Sequence, residues 1–383
     1  MQFELHSGVG NLDAMPTVAT ITGWLEAAYP PGLAEDWDRV GLAVGDPDAE
    51  VDHVLFAVDV TDAVVAEAVA LGAGLIVSHH PLLLRGLHAV RTDQPKGRVV
   101  TALIRHGIAQ FAAHTNADSA PGGVAEALAS AAGLVDLRPL APVPTEPLDK
   151  LVTFVPTADV DAVIDALAAE GAGAIGDYDR CAFTSPGTGT FRPLLGANPT
   201  IGSVGAIEEV AETRVEMVLP RARRGAVLVA LRASHPYEEP AFDVLELATE
   251  PSGRGLGRIG HLPEPLTARE FARRLADAVP ATAGGVKLGG NPDRVLETVA
   301  VLGGAGDSML DAARAAGVDC YVTGDLRHHP AQDFLAHAGA PVLVDVPHWA
   351  AEWTWLPRAQ AVLAGRVAST VSRIVTDPWV ERY

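Results

Sequence analysis

Short apolar runs alternate with amphipathic stretches along the chain. Residues 54–60, 74–77 and 109–114 are nearly continuous apolar runs of β-branched and small side chains, as strands buried on both faces require. Between them, residues 62–71 place Val64, Val65, Ala68 and Val69 on one face behind a Thr61 cap, and residues 98–106 predict a second helix. Strand, helix and strand in such quick succession make parallel βαβ units. Upstream, Ile21, Trp24 and Leu25 predict a helix over residues 17–28 that Pro30 and Pro31 end. Residues 35–42 read as a polar loop entering a short strand, a cap over the core whose acids and Trp37 could also line a site. Pro121 suits the first turn of a further helix.

Four prolines within residues 139–147 predict a stiff linker and a domain boundary. Beyond it the order is strand 151–155, helix 160–170, strand 179–184, strand 214–219, helix 221–234 and strand 241–247, a split-βαβ arrangement. Residues 250–257 read as a second flexible joint. The first pattern then returns: strand 298–302, helix 307–316, strand 319–323, a His-His-Pro at 328–330, helix 331–338 and strand 341–346. The expected fold is α/β, with duplicated three-layer α/β units forming one discontinuous domain and a ferredoxin-like α+β domain inserted in it. Its parts are an extension over residues 1–14, a first half over 15–147, the insert over 148–250 and a second half over 251–383.

Candidate chemistry gathers at the strand ends. The run 74–77 leads straight into His79 and His80, with Pro81 turning the chain. Neighbouring side chains on a strand face opposite ways, but at its end the chain can turn and let both converge. In such sheets ligands bind beyond the carboxyl ends of the strands. Asp118 follows the strand ending at 114, in a strand-to-helix loop, and His348 and Glu352 share a helix face after the strand ending at 346. Three imidazoles and two carboxylates exceed the needs of a four-ligand structural zinc. They suit two divalent cations sharing a carboxylate, with water in the remaining positions. Mixed nitrogen and oxygen ligands fit zinc, iron, manganese, nickel or cobalt. Each residue also has a plainer role: His-x-x-x-Glu pairs form surface contacts, and an aspartate such as Asp118 caps helices. Their shared place on matching units is what joins them.

His328 and His329 mirror the first pair, yet support of the ligands or contact with substrate, together with Asp325, fits them better than ligation. His114 takes a supporting or structural part. The run from Gly303 to Gly306 lacks the third glycine of a dinucleotide fingerprint, where Met309 stands, and reads as a tight turn. The run from Gly187 to Arg192 reads as a hairpin, with anion binding as a second reading.

Charge narrows the partners. With 48 acidic and 28 basic residues the formal net charge is -20, which repels phosphate backbones and anionic lipids, so nucleic acid and membrane are not expected. Cys181 and Cys320 form no CxxC pair, so neither a thiolate zinc site nor a disulfide framework is expected and a reducing compartment is. No apolar window is long enough to span a bilayer, and residues 1–14, a loose extension or a misplaced start, carry no secretory pattern. The expected location is cytoplasmic.

The segments Trp37-Asp-Arg-Val-Gly-Leu, Ser78-His-His-Pro, His114-Thr-Asn-Ala-Asp, Gly324-Asp-Leu-Arg-His-His and His348-Trp-Ala-Ala-Glu resemble the GTP cyclohydrolase I type 2 homologue family. Its members are also called dinuclear-metal-centre hexameric or NGG-interacting-factor-like proteins. The resemblance covers nearly all of residues 15–383 and extends, through His235-Pro-Tyr-Glu-Glu-Pro and the run from Gly187 to Pro193, to long forms with a PII/CutA-like insert. It implies two divalent cations held by His79, His80, Asp118, His348 and Glu352, and a toroidal homohexamer with the centres facing an internal cavity. The implied activity is metal-dependent hydrolysis of a small molecule, a GTP cyclohydrolase-like opening of the guanine ring at C8 by metal-activated water. The alternative is a non-catalytic metal-binding regulatory ring protein with a ligand-sensing insert. Ala117 replaces a usually larger apolar residue, and Pro347 a usual glycine whose loss could change the approach of His348.

Overall fold

The computed structural model describes residues 15–249 and 251–383, so the expected extension over residues 1–14 lies outside the described residues. The chain divides into two compact units, one running to Val143 and resuming at Gly253, the other spanning Pro144–Ser252. The first stretch forms α1 (Val18–Ala28), β1 (Gly41–Val44), β2 (His53–Ala57), α2 (Asp62–Leu71), β3 (Leu75–Ser78), α3 (Pro95–His106), β4 (Ala109–Ala112), α4 (Thr115–Ser119), α5 (Val124–Ala131) and β5 (Val135–Pro144). The small unit holds β6 (Leu148–Pro156), α6 (Val160–Ala169), β7 (Phe183–Phe191), β8 (Glu208–Pro220), α7 (Arg224–Ser234) and β9 (Phe242–Glu246). The last stretch opens with β10 (Pro251–Thr267), α8 (Ala268–Ala278), β11 (Lys287–Gly289), β12 (Val295–Ala305), α9 (Leu310–Ala315) and β13 (Cys320–Gly324). It closes with α10 (His328–Leu335), β14 (Val342–Asp345), α11 (His348–Trp353), α12 (Leu356–Val362) and β15 (Ala368–Val371).

The large unit is a duplication, as the pattern implied. In the five-stranded sheet, ordered β1-β4-β3-β2-β15, all strands but the edge strand β1 run parallel. The six-stranded sheet, ordered β11-β14-β13-β12-β10-β5, repeats the plan, with β12, β13 and β14 parallel and β11 antiparallel at the edge. What the pattern did not reveal is an exchange. β5 comes from the first stretch but extends the second sheet, whereas β15 comes from the last and pairs with β2. Helix α5 packs on β12 and α12 on β2 in the same crossed manner. Neither half completes its own sheet, so both halves contribute to one body.

Strand parity divides the core. Val54, Phe56, Leu75, Val77 and Phe111 share one buried cluster with Val299, Val301, Val322 and Val344 and with residues of α1, α5, α8, α11 and α12. Residues of the opposite parity, such as Leu55 and Ile76, pack under α2 and α3, and Ala300 and Tyr321 under α9 and α10. Burial on both faces is why these strands read as continuous apolar runs.

Several local expectations differ. The proline-rich stretch expected as a linker is the strand β5, at a sheet edge where a missing N–H can face outward without cost. Residues 251–257, expected as a joint, belong to β10, because glycines carry no side chains to mark the two faces of a strand. The stretch expected as a hairpin at Gly187 lies in the single strand β7, and the expected tight turn at Gly303 is the irregular end of β12. Helix α5 starts at Val124 behind Gly123, later than Pro121 suggested.

The small unit is a four-stranded antiparallel sheet in the order β7-β8-β6-β9. Helices α6 and α7 cover one face, over Leu151, Val155, Val215, Met217 and Leu219. Near its rim, buried Asp149 accepts from Arg221 at 3.0 Å and Arg224 at 2.6 Å.

Candidate metal centre

Beyond Ser78, the end of β3, the chain bends at His79 and His80. His79 N donates to Ala57 O and His80 N to Val58 O, so the two rings are carried on backbone still held by the neighbouring strand. The Ser78 hydroxyl donates to His80 O, turning the chain before Pro81. His79 is buried among His114 and the fully buried Trp355, and His80 faces His348 with ring centroids 5.2 Å apart. Asp118 lies in the short helix α4, not in a loop, and His348 and Glu352 lie one turn apart on α11. Pro347 immediately precedes α11 and does not keep His348 from the cluster.

Glu352 is the hub. Its Oε1 lies 3.4 Å from His79 Nε2 and 2.9 Å from His348 Nε2, and its Oε2 lies 2.9 Å from His80 Nε2. Asp118 Oδ1 stands further off, 3.8 Å from His79 Nε2. Room for the carboxylate comes from Gly304, whose φ is +69°. A Cβ there would fall 2.6 Å from Glu352 Oε1 and 3.4 Å from His348 Nε2.

The outer nitrogen of each ring is tied down. His79 Nδ1 donates to Ala113 O at 2.9 Å, His80 Nδ1 to Asp59 at 2.7 Å and His348 Nδ1 to Asp325 at 2.7 Å. These acceptors keep the proton on Nδ1 and turn each Nε2 lone pair inward. The Nε2 atoms of His80 and His348 then oppose each other at 3.2 Å, which is unfavourable unless positive charge lies between them. Two imidazole nitrogens each about 2.0–2.1 Å from one cation would have similar separation. His79 Nε2, Asp118 Oδ1 and Glu352 Oε2 are also buried without an aligned hydrogen bond. The donor set therefore fits a divalent cation.

Electrostatics point the same way. Burial opposes charge on His80, but Glu352 and Asp59 outweigh it and raise the ring to about 11. His348, likewise opposed by burial, is raised by Glu352 to about 9. Burial, then the charge of Glu352, pushes Asp118 up to about 7. Burial would raise Glu352 as well, but His80, His348 and His79 hold it well below the usual carboxylate range. Positive charge is thus drawn between buried carboxylates, a demand that protons or metal ions meet.

Among the described residues, two groups place ring nitrogens or carboxylate oxygens within 4.8 Å of one another: His79, His80 and His114, and His80, His348 and Glu352. His114 is therefore nearer the centre than the sequence suggested. Its Nδ1 binds Asp38 at 2.9 Å, and buried Asp38 also accepts from Thr115 N and Oγ1. Burial would raise Asp38, but His114 and Thr115 hold it well below the usual range. His328 and His329 are not brought in. They open α10 on the exposed surface, ring against ring, without a hydrogen bond to the cluster among the described residues. The residue that directly follows β13, as His79 follows β3, is Asp325, so the true counterpart of the first histidine pair is offset by three residues. Asp59 was missed as a partner of the cluster, its signal an acid just past an apolar strand, whereas Asp38 is one of the loop acids that the sequence offered as able to line a site.

The Duf34/NIF3 (NGG1p interacting factor 3) family profile matches residues 16–378. The chain belongs to this family. Relatives named "GTP cyclohydrolase 1 type 2 homolog" include one from Mycobacterium tuberculosis, 51% identical over 367 residues that cover 94% of this chain and 96% of that protein. Another, from Bacillus subtilis, is 42% identical over 310 residues, 81% of this chain and 83% of that one. Among solved structures, a Bacillus cereus protein related to NIF3 is 37% identical with a TM-score of 0.70, covering 96% of this chain and 100% of its own. Staphylococcus aureus protein SA1388 is 29% identical with a TM-score of 0.80, covering 96% and 99%. No helix among the described residues is long and apolar enough to cross a membrane.

Proposed function

We propose that the cluster is a dinuclear divalent-metal centre and that the protein is a metal-dependent hydrolase. The observation that carries this is the facing pair of Nε2 atoms on His80 and His348, each ring fixed from behind by a carboxylate, around the buried Glu352. His79, His80, Asp118, His348 and Glu352 would hold the cations, with Glu352 reaching both sides. When bound, two divalent cations would supply Lewis acidity and a water acidic enough to attack near neutral pH.

The chain's own residues supply the setting. Asp59 and Asp325 orient His80 and His348, and the buried His79 and Trp355 exclude water from the inner side. His114, oriented by Asp38, stands against His79 and His80, where it can hold a proton beside the reacting groups. On the solvent side a cavity of about 550 Å³ is lined by His80, His348, Lys287 and the exposed Trp379. The exposed aromatic face beside the cluster suits a heterocyclic substrate. The Lys287 ammonium is already paired with Asp345 at 2.6 Å, so an anionic group of the substrate would be met by the bound cations. A guanine nucleotide, the class to which the relatives' name points, offers both.

Elemental analysis of protein purified without added metal should find two divalent cations per chain. Metal-loaded protein is then incubated with GTP and a panel of phosphoesters beside His79→Ala and Glu352→Ala. Turnover that disappears with the ligands is expected, and turnover that survives their loss excludes the mechanism. Full loading with no turnover of any substrate leaves a non-catalytic metal-binding protein.

A further inference from the structure

The small unit contains a cavity of about 640 Å³ on the sheet face opposite α6 and α7. On this face Phe154 of β6, Glu212 and Arg214 of β8, and Phe191 of β7 come together, with Tyr237 closing one side. The edge strand opens the hollow. Gly187 pairs with Glu212, and Gly189 lies two residues on, on the same face. A Cβ on Gly189 would fall 2.0 Å from Glu212 Oε2, so the carboxylate lies where a side chain would otherwise stand.

Glu212 is only 9% exposed and lines the cavity. Its Oε1 accepts from the Tyr237 hydroxyl at 2.8 Å, and among the described residues its Oε2 has no hydrogen-bond partner. The support is rigid. His235 Nε2 donates to Phe154 O at 3.0 Å, and Tyr237 N donates to His235 Nδ1 at 3.1 Å, which fixes a neutral ring behind the tyrosine. A carboxylate this buried calls for a positive partner. The two arginines lining the cavity do not serve: Arg214 binds Glu216 at 2.8 Å and lies over the Phe154 ring, and Arg192, exposed just beyond β7, makes no hydrogen bond or ion pair with Glu212. A metal ion is disfavoured, since the groups that could hold one among the described residues are all in the large unit. An anion is disfavoured by Glu212 itself and by Glu238 and Glu239 at the rim.

We propose that this cavity binds a small organic cation, an amine or amidine on an aromatic or apolar body, with Glu212 as its counter-ion. The N–H group would meet Glu212 Oε2, and the body would lie against Phe191 and Tyr237, whose rings meet edge to face at 5.6 Å.

The test titrates full-length protein with benzamidine and phenethylamine, using neutral benzamide and anionic benzoate as controls, read by ligand-observed NMR and calorimetry. Both cations should bind, and benzamide and benzoate at least tenfold more weakly, as expected for a charge-assisted hydrogen bond. Glu212→Gln should lose about tenfold or more in cation affinity. Tyr237→Phe breaks the same Tyr237–Glu212 bond but keeps the carboxylate, so it should retain cation binding. Loss in both variants, equal binding by Glu212→Gln and wild type, equal binding of benzoate, or no binding of either cation would each overturn the assignment.

Discussion

The chain after β3 and the chain after β13 occupy equivalent positions in the two copies of the large unit and do different things. After β3 stand two histidines whose rings enter the cluster, whereas after β13 stands Asp325, which holds His348 from behind. The reverse holds one element later. Helix α4 of the first copy offers only Asp118, at the margin, and α11 of the second offers both His348 and the central Glu352. The lesson is that duplication supplied two equivalent sets of strand ends, and the copies then divided ligation and support between them. A site so divided exists only when both halves are folded together.

The largest expected effect comes from breaking the shared hub. Glu352→Ala should lose metal by more than the 10–100-fold typical of a supporting residue, measured by equilibrium dialysis with elemental analysis. Retained stoichiometry would show that the copies do not meet through this side chain. Asp59→Asn and Asp325→Asn, one behind each copy's histidine, should each weaken metal binding about 10–100-fold. Similar losses would sharpen the symmetry of support, and a loss in one alone would break it.

A smaller effect is expected outside the duplication. Asp149→Asn in the small unit should lower the melting temperature by about 2–4 °C and leave metal content unchanged. Arg224 and then Arg221 hold the Asp149 carboxyl below its ordinary range. Its contribution is therefore complete above the unfolded value of about 3.9 and is lost as pH falls through the lower folded value. The variant should accordingly lose less stability than wild type on acidification below about pH 4, as followed by thermal melts. The smallest effect belongs to His328→Ala with His329→Ala. Metal content should not change, and a clear drop would restore the simple mirror between the two histidine pairs.

Much was legible in the chain because hydrophobic alternation is local. Apolar runs marked β2, β3, β4, β12, β13 and β14, helical spacing marked α2, and the order of elements in the small unit followed from the same reading. The side chains of His79, His80, Asp118, His348 and Glu352 lie in one cluster. The wrong readings were those in which prolines and glycines stood for flexibility, since an edge strand accepts prolines and glycine hides the two-residue period.

By itself the sequence determined the repeat, the strand ends and the residue types gathered there, because each is written within a window of a few side chains. Only the tertiary structure decided the exchange of β5 and β15 between sheets, the three-residue offset that removes His328 and His329, and the acids behind His80 and His348. Those depend on partners far apart in the chain, 21 residues for His80 with Asp59 and 268 for His80 with His348. A carboxylate's partner is chosen by which strand edges pair and which helices cover them, and that choice is made by the whole core at once.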